Sequence, residues 1–461
     1  MEKQRSSFTG KLGFVLAAAG SAVGLGNIWR FPYLAAKYGG GIFLLVYIIL
    51  AVTFGFTLMV AEIAIGRKTG LSPVGAFAKL SKKFAFIGYL GAIIPMLILP
   101  YYSVIGGWVM KYFAMFISGN GDDTTWSEAV VNGDVTETVT YFDKFVTGAG
   151  EPILWFVLYI AITMVVVLFG VEKGIEKVSK VMMPVLIVIS LFIAIYVMFL
   201  DGAWEGVVYY IKPDFSKFSI MTVISAMGQL FYSMSLAMGI MITYGSYMKK
   251  DVNIEKSVHQ IEIFDTGVAF LAGLMIIPAV FVFGGEGDLA AGPSLMFKTL
   301  PKVFNAIWGG QVIGALFFIL VLLAALTSSI SLAETVVSVI QDKFKIDRKI
   351  TCLIVLVGCL VLGLPSALGY GVLGGIKIIG LQFLDFFDFL SNSILMPVVA
   401  IFTCIFIGFI IKPKAIHEEV EISAPFKAKK LFNVIIKYIA PVFLVAILVS
   451  SILDVFGIMK I

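Results

Sequence analysis

Charged residues are scarce in this sequence. Asp, Glu, Lys and Arg make up 14% of the 461 residues, whereas hydrophobic residues make up 60%, and the mean hydropathy is +1.01. A soluble domain has about a quarter of its residues charged, because its surface faces water. So few charges exclude an ordinary water-facing surface and favour a surface that faces the lipid bilayer. The formal net charge of +5 is modest and does not favour nucleic-acid binding.

Cysteine and histidine are also rare. The three cysteines, Cys352, Cys359 and Cys404, all lie inside apolar segments, so a disulfide framework is not expected. The two histidines, His259 and His417, are far apart in sequence, which leaves too few ligands for a transition-metal site. The sequence also lacks HExxH and GxSxG motifs. We therefore expect neither an enzyme nor an organic cofactor.

Long apolar runs dominate the chain instead. A helix needs about 20 apolar residues to cross the hydrocarbon layer, and eleven segments approach or exceed that length. The longest connection between them, 118–152, is polar and acidic. The sequence therefore predicts an all-α polytopic membrane protein in which residues 1–461 form a single membrane domain. The predicted spans, numbered 1 to 11 in chain order, are 11–36, 41–66, 84–117, 153–170, 179–200, 217–247, 256–284, 309–341, 349–366, 381–411 and 431–458.

Lysine and arginine indicate the orientation. Of the 34 such residues, 24 lie in the N-terminal segment, in connections 2–3, 4–5, 6–7, 8–9 and 10–11, or at the start of the spans that follow them. Basic residues concentrate on the cytoplasmic side of the plasma (inner) membrane. We therefore expect a cytoplasmic N-terminus and, after eleven spans, an extracytoplasmic C-terminus. The N-terminus also has the basic start of a signal peptide, but its apolar run continues past Gly24 into a second one, so cleavage is not expected.

Two spans are interrupted by small and polar residues. Span 1 contains GSAVGLGN at 20–27, and span 6 contains SMSLAMG at 233–239. They open two halves of five spans each, 11–200 and 217–411, and an odd number of spans leaves the second half inverted; 431–458 is an extra span. Interrupted helices at matching places in inverted halves indicate a transporter binding site. Close helix packing through small residues is the alternative, but it leaves Asn27, Ser233 and Ser235 unexplained.

Interrupted helices inside a membrane need partners for their peptide groups. Each unpaired group in hydrocarbon costs several kcal/mol, whereas helix N-termini suit a carboxylate and freed carbonyls suit a cation. The nearby side-chain oxygens include only one carboxylate, which favours Na⁺ over Ca²⁺. These oxygens belong to Asn27, Ser233, Asp265, Thr327 and Ser328.

Several long motifs resemble those of the neurotransmitter:sodium symporter family. They are GSAVGLGN, RFPYLAAKYGGGIF at 30–43, GQLFYSMSL with TYGSY within 228–247, and ALTSSISLAE at 325–334. The resemblance extends over about 5–408 and is strongest to the short, eleven-span bacterial amino-acid transporters, which are leucine-transporter-like. It implies an inverted five-plus-five repeat with broken helices 1 and 6, and sodium-coupled symport of amino acids by alternating access.

The same resemblance implies two sodium sites. The first comprises Ala22, Asn27, Ser233 and Asp265 with the substrate carboxylate, and the second comprises Gly20, Val23, Ala324, Thr327 and Ser328. Thr327 and Ser328 could instead bond back to the preceding turn of their own helix. In chloride-dependent relatives a bound chloride supplies the negative charge that Asp265 supplies here, so we expect transport without chloride.

The resemblance also implies a substrate pocket. Gly24 has no side chain where amine-transporting relatives carry an aspartate, which favours an α-amino acid as substrate. The flexible Met238 beside the small Ala237 favours a hydrophobic or aromatic amino acid. Tyr102 and Tyr232 could equally be ordinary core aromatics. The implied lining residues are Ser21, Ala22, Leu25, Gly26, Ile98, Tyr102, Tyr232, Ser233, Ser235, Met238, Ser328 and Leu332.

The resemblance also implies two gates. Arg30 and Asp388, with Tyr102 and Tyr232, would form the outer gate, and Arg5 with Asp342 would form the inner gate. The alternative for the inner pair is two solvated loop charges, worth about 0–1 kcal/mol. Polar residues at membrane depth, Glu62, Gln229 and Glu334, are interpreted as supports for the unwound segments.

Other functions remain compatible with these patterns. The same fold could carry another small zwitterion or an osmolyte. A ligand-gated channel is a second alternative, although no filter motif is present. The sequence indicates neither the oligomeric state nor the preferred amino acid.

Overall fold

The computed structural model of the protein describes residues 7–132, 135–283 and 294–455. Within these ranges nine helices are long and apolar enough to cross a membrane. They correspond to predicted spans 2 to 5 and 7 to 11, and their bounds are Gly41–Thr69, Lys82–Ile117, Gly150–Leu168, Val171–Met198, Ile254–Phe283, Gly310–Phe344, Arg348–Leu368, Phe383–Ile410 and Lys429–Leu453. The prediction of a polytopic helical membrane protein is confirmed.

Spans 1 and 6 each consist of two helices. In span 1, Lys11–Ala22 and Gly26–Lys37 meet at an angle of 54° and together form a tenth apolar crossing. In span 6, Ile220–Ser233 and Ile240–Ser246 have 14 and 7 residues. Each is shorter than the about 20 residues that a crossing needs, so the predicted total of eleven spans depends on span 6 and stays a prediction.

Short elements connect the spans. A two-stranded antiparallel hairpin, Ser127–Asn132 with Val135–Thr140, lies in the connection between spans 3 and 4, where the sequence had suggested only a polar loop. Span 5 begins at Val171, eight residues before its predicted start, because its first turns are charged and therefore fall outside the apolar run. The short α-helices are Pro73–Leu80, Tyr141–Thr147, Ala203–Ile211, Leu300–Ala306 and Lys414–Val420.

Span 8 lies at the centre of the bundle and spans 5 and 11 at its edge. The most apolar stretch of span 8 is 72% buried within the protein, compared with 33% for spans 5 and 11. Large apolar side chains such as Val188 and Val442 are exposed on the outer spans, where lipid is the matching solvent. The central position of span 8 brings its polar segment, 327–335, against span 1.

Glycines allow span 2 to pack closely against the second half of span 6. A Cβ atom on Gly66 would lie 1.9 Å from the carbonyl oxygen of Ile242, and one on Gly245 would lie 2.4 Å from the carbonyl oxygen of Ile63. Contacts this short between backbones are available only to small residues. Span 2 therefore directly supports the short second helix of span 6.

A buried ion pair anchors the connection between spans 10 and 11. The Nε atom of Arg67, near the end of span 2, donates to Oε1 of Glu419 at 2.8 Å, and these side chains are only 1% and 3% exposed. Arg67 also donates through Nη1 to the carbonyl oxygen of Val252 at 2.6 Å. Lys250 donates to the same Glu419 oxygen at 2.6 Å. Helix Lys414–Val420 is thereby held against span 2 and the connection between spans 6 and 7.

Arg67→Ala is expected to reduce the free energy of unfolding by about 3 kcal/mol, because it leaves the Glu419 carboxylate buried with fewer donors. The matched control is Lys414→Ala, whose pair with Glu418 is 4.0 Å long and largely exposed, so that it should be close to neutral. The melting temperature of the detergent-solubilised protein measures both. Equal melting temperatures for the two variants would show that the buried pair does not stabilise the fold.

Candidate ligand site between spans 1 and 6

The break in span 1 lies at 23–25. The N–H of Val23 still donates to the carbonyl oxygen of Ala19 at 2.7 Å, and regular helix then stops. Beyond the break, the side-chain oxygen of Asn27 accepts from the N–H of Gly24 at 3.0 Å. The helix resumes with a π-helical turn at Gly26–Arg30. The interruption predicted at 20–27 is therefore present. It leaves backbone groups at the middle of the span without the hydrogen bonds of a regular helix.

The break in span 6 covers 234–239 and adopts an unusual backbone conformation. Ser235 and Ala237 have φ angles of 53° and 60°, in the left-handed region that non-glycine residues seldom adopt. Each such residue costs about 1–3 kcal/mol, and the surrounding contacts must compensate for that cost. The N–H of Ala237 donates to Oε1 of Glu62 at 2.7 Å, and the Ser235 hydroxyl donates to the carbonyl oxygen of Ser21 at 2.9 Å.

Two of the three polar residues interpreted as supports contact the breaks. Glu62 holds Ala237, and Nε2 of Gln229 donates to the carbonyl oxygen of Gly26 at 2.9 Å. Glu334 does not: it accepts from the hydroxyl of Tyr247 at 2.7 Å and forms an ion pair with Arg348. Its interpretation as a support was wrong, because its nearest donors come from the end of span 6 and the start of span 9.

A small buried cavity lies between the two breaks. Its volume is about 30 Å³, which is room for one or two water molecules. All twelve residues predicted to line a substrate pocket are on its wall, together with Gly24, Asn27 and Ile240. Ile240 was missed because an isoleucine in an apolar run carries no local signal. The side chains that surround the cavity must move apart before anything as large as an amino acid can enter.

Hydroxyl groups cover the freed backbone groups around this cavity. The Tyr102 hydroxyl accepts from the N–H of Leu25 at 3.1 Å. The Ser328 hydroxyl lies 3.1 Å from the carbonyl oxygen of Ser21 and 3.3 Å from that of Val23, and can donate to either. A Cβ on Gly24 would lie 2.6 Å from Oγ of Ser328. Side chains of spans 3 and 8 therefore contact the break in span 1 from two sides. The absence of a side chain on Gly24 leaves room for the Ser328 hydroxyl.

The residues of the first predicted sodium site form one polar cluster. The Ser233 hydroxyl donates to Oδ1 of Asp265 at 2.6 Å, and Nδ2 of Asn27 donates to that same oxygen at 2.7 Å. The hydroxyl of Tyr47 donates to the other carboxylate oxygen at 3.0 Å. Asp265 is fully buried, and Ala22 lies beside the cluster in the cavity wall. Tyr47 was not predicted, although a hydroxyl at mid-membrane depth needs a polar partner.

The residues of the second predicted site also meet, between spans 1 and 8. The Thr327 hydroxyl donates back to the carbonyl oxygens of Leu323 and Ala324, at 3.1 and 3.0 Å, which is the alternative raised from the sequence. Ser328 bonds across to span 1 instead, at Val23. Gly20 faces Thr327, since a Cβ on Gly20 would lie 3.2 Å from Cβ of Thr327.

The structure describes all four residues of the predicted outer gate but only one of the two residues of the predicted inner gate. The guanidinium of Arg30 lies 5.5 Å from the ring centroid of Tyr232. The Asp388 carboxylate accepts from the hydroxyl of Tyr101 at 3.1 Å and from Nδ2 of Asn392 at 2.6 Å. Tyr101 and Asn392 were both missed. For the inner gate, Arg5 lies outside the described residues, and Asp342 accepts from the N–H of Ser72 at 2.8 Å.

Sequence comparison relates nearly the whole chain to known proteins. The model of the sodium:neurotransmitter symporter family matches residues 5–140 and 135–459. An uncharacterized sodium-dependent transporter of Haemophilus influenzae is 33% identical over 459 residues, covering 97% of this chain and 98% of the relative. The sodium- and chloride-dependent GABA transporter ine of Drosophila melanogaster is 28% identical over 81% of this chain and 44% of that protein.

A solved structure also matches over nearly the whole chain. The crystal structure of MhsT in complex with L-phenylalanine has a TM-score of 0.86 and 37% identity, and the match covers 97% of this chain and 100% of MhsT. Family model, relatives and solved structure all lead to transporters and none to an enzyme. The chain therefore belongs to the sodium:neurotransmitter symporter family and is a membrane-spanning, sodium-coupled symporter.

Proposed function

We propose that this symporter carries a hydrophobic or aromatic L-amino acid through the cavity between spans 1 and 6, coupled to two sodium ions and independent of chloride. The observation that supports this most strongly is the pair of helix breaks facing one buried cavity. Freed peptide groups of this kind suit a carboxylate and a cation. The MhsT complex shows that a relative of 37% identity binds L-phenylalanine.

The cavity wall suits a zwitterion with an apolar side chain. Its polar part includes the hydroxyls of Ser21, Ser235 and Tyr102, and its apolar part includes Ile98 and Met238. Because Gly24 contributes no carboxylate, the amino acid brings its own to the first sodium ion. The Tyr102 hydroxyl, which accepts from Leu25, has its proton available for donation to that carboxylate.

Sodium at the first site would bind Asn27, Ser233, Asp265, the Ala22 carbonyl and the substrate carboxylate. Asn27 turns its Nδ2 toward Asp265, so a half-turn of the amide about its last torsion is required to present its oxygen to the ion. The ionised Asp265 supplies a fixed negative charge. This charge supports transport without chloride, in contrast to the chloride dependence named for the Drosophila relative.

Sodium at the second site would bind the hydroxyl oxygens of Thr327 and Ser328 and the carbonyl oxygens of Gly20, Val23 and Ala324. Both hydroxyls now donate to carbonyls. An ion among these oxygens would replace the donated protons, because sodium binds oxygen lone pairs. Occupation would therefore tie span 1 to span 8.

Alternating access would move the broken spans against the rest of the bundle. Sodium and substrate enter from outside, the gate of Arg30, Asp388, Tyr102 and Tyr232 closes, and the inner gate of Arg5 and Asp342 opens. The two inverted repeats would comprise 11–200 and 217–411, followed by the extra span 431–458, with a cytoplasmic N-terminus and an extracytoplasmic C-terminus. Sodium must favour the outward-facing conformation to shift the population toward it.

The sodium gradient supplies enough free energy for this cycle. One charge moving through 100 mV yields about 2.3 kcal/mol, and a tenfold gradient adds about 1.4 kcal/mol. Two ions carried with a neutral zwitterion therefore yield roughly 7 kcal/mol, enough for about 10⁵-fold accumulation. One ion alone would support only roughly 10²- to 10³-fold accumulation.

Uptake into proteoliposomes under an imposed sodium gradient tests the proposal. Labelled L-phenylalanine should accumulate only with sodium outside, and Asn27→Ala and Thr327→Ala should each reduce uptake at least tenfold. Thr335→Ala is the matched control, because Thr335 makes the same back-bond, 2.9 Å to Ser331, further along span 8. Sodium-independent uptake, or normal uptake by both site variants, would contradict the assigned ion sites.

Asp265→Ser tests the role of the buried carboxylate. The variant should lose uptake in chloride-free buffer, because the fixed negative charge is gone, and either stay inactive or regain activity when chloride is added. Initial uptake rates in chloride and in gluconate buffer measure this. If Asp265→Ser transports at the wild-type rate in gluconate, the carboxylate does not replace chloride.

A further inference from the structure

Tyr101 of span 3 and Asn392 of span 10 hold a single oxygen of Asp388. The Tyr101 hydroxyl donates to Oδ1 at 3.1 Å, and Nδ2 of Asn392 lies 2.6 Å from Oδ1 and 3.2 Å from the Tyr101 hydroxyl oxygen. The Tyr101 side chain is 1% exposed. Two donors on the same oxygen restrict rotation of the carboxylate about its last torsion. They therefore set the direction in which its second oxygen points.

Arg30 is the cationic residue of the proposed outer gate. Its guanidinium is seated on the ring of Tyr232, 5.5 Å from the centroid, and Asp388 is the carboxylate with which the proposed gate would pair it. Tyr232 also lines the cavity. The two residues of the proposed gate thus each contact an aromatic residue. Tyr232 contacts the guanidinium of Arg30, and Tyr101 donates to the carboxylate of Asp388.

Span 3 connects this gate to the ligand cavity through consecutive residues. Tyr102 accepts from the N–H of Leu25 in the break of span 1, and Tyr101 donates to Asp388 in span 10. Neighbouring side chains on a helix point about 100° apart, so two adjacent tyrosines reach two different spans. Tyr102 is in the cavity wall and Tyr101 is not. A role for Tyr101 would therefore be separate from substrate contact.

We propose that Tyr101 is a positioning residue of the outer gate. Its hydroxyl turns the Asp388 carboxylate toward Arg30 and so sets how long the closed gate retains the substrate. The inference rests on the proposed function, because it assumes that Arg30 and Asp388 close over a bound amino acid. A hydrogen bond to a charged group contributes more than one between neutral groups. Asn392 remains as a second donor, so loss of the hydroxyl should loosen the gate without abolishing it.

Tyr101→Phe removes the hydroxyl and keeps the ring. Labelled L-phenylalanine should dissociate about tenfold faster from the purified variant in saturating sodium than from wild type, with an unchanged half-saturating sodium concentration. Tyr112→Phe is the matched control, since Tyr112 is also in span 3 but donates to the carbonyl oxygen of Phe297 at 2.9 Å. This control should dissociate at the wild-type rate.

A double-mutant cycle distinguishes positioning from a general loosening of the fold. Asp388→Asn alone should speed dissociation, and adding Tyr101→Phe should change it by less than twofold, because the two residues act through one interaction. Tyr101→Phe with wild-type dissociation, or with a full tenfold effect in the Asp388→Asn background, would overturn the proposal. A shifted sodium requirement would also overturn it, because the effect would then lie in the ion sites.

A readout without amino acid separates this inference from the proposed function. Alkylation of Ile98→Cys, in the cavity wall, by a water-soluble maleimide reports how often the gate opens in sodium alone. Adding Tyr101→Phe should raise the alkylation rate severalfold, and an unchanged rate would overturn the gate role. If wild type binds no L-phenylalanine, the proposed substrate fails, while the alkylation rate still decides the role of Tyr101.

Discussion

Peptide groups released from helical hydrogen bonding in the middle of a membrane have no water to pair with. The residues around the two helix breaks of this structure provide partners for such groups. Spans 1 and 6 each stop being helical at their midpoint. Each unpaired peptide group in hydrocarbon costs several kcal/mol, and the left-handed Ser235 and Ala237 add backbone strain. A chain that retains two such breaks must supply partners for them. In the proposed function, the cargo would be one of those partners.

The neighbouring spans supply partners from three directions. Span 2 presents Glu62 to Ala237, span 3 presents Tyr102 to Leu25, and span 8 presents Ser328 to the carbonyl oxygens of span 1. Of these groups, the Tyr102 hydroxyl would also donate to the proposed substrate, and the Ser328 hydroxyl would also bind the second proposed sodium ion. Binding would then replace hydrogen bonds within the protein by contacts with ions and substrate. Because these hydrogen bonds join spans 1, 6 and 8, their replacement would change the relative positions of those spans. The nearly closed cavity of about 30 Å³ fits a state in which internal partners dominate.

Local patterns in the sequence predicted the spans and the two breaks. Apolar runs locate helices in a membrane because backbone pairing must be internal to the helix there, and Gly with Ser inside such a run is a local signal of interruption. The twelve pocket residues came from motif resemblance, and all of them line the cavity. Tyr47 and Tyr101 were missed because their partners, Asp265 and Asp388, are distant in sequence. Asn392 was missed although it lies only four residues after its partner Asp388. Glu334 was misinterpreted for a related reason, since its partner Arg348 is brought to it by the turn between spans 8 and 9.

The central claim is that a substrate carboxylate and sodium are held together by the two breaks. Equilibrium binding of L-phenylalanine and of L-phenylalaninamide, titrated against sodium, tests it most directly, because the amide keeps the side chain and the amine but has no carboxylate. The account predicts that sodium strengthens binding of the amino acid at least tenfold and leaves the amide bound weakly at every sodium concentration. Equal sodium dependence for the two compounds would contradict it.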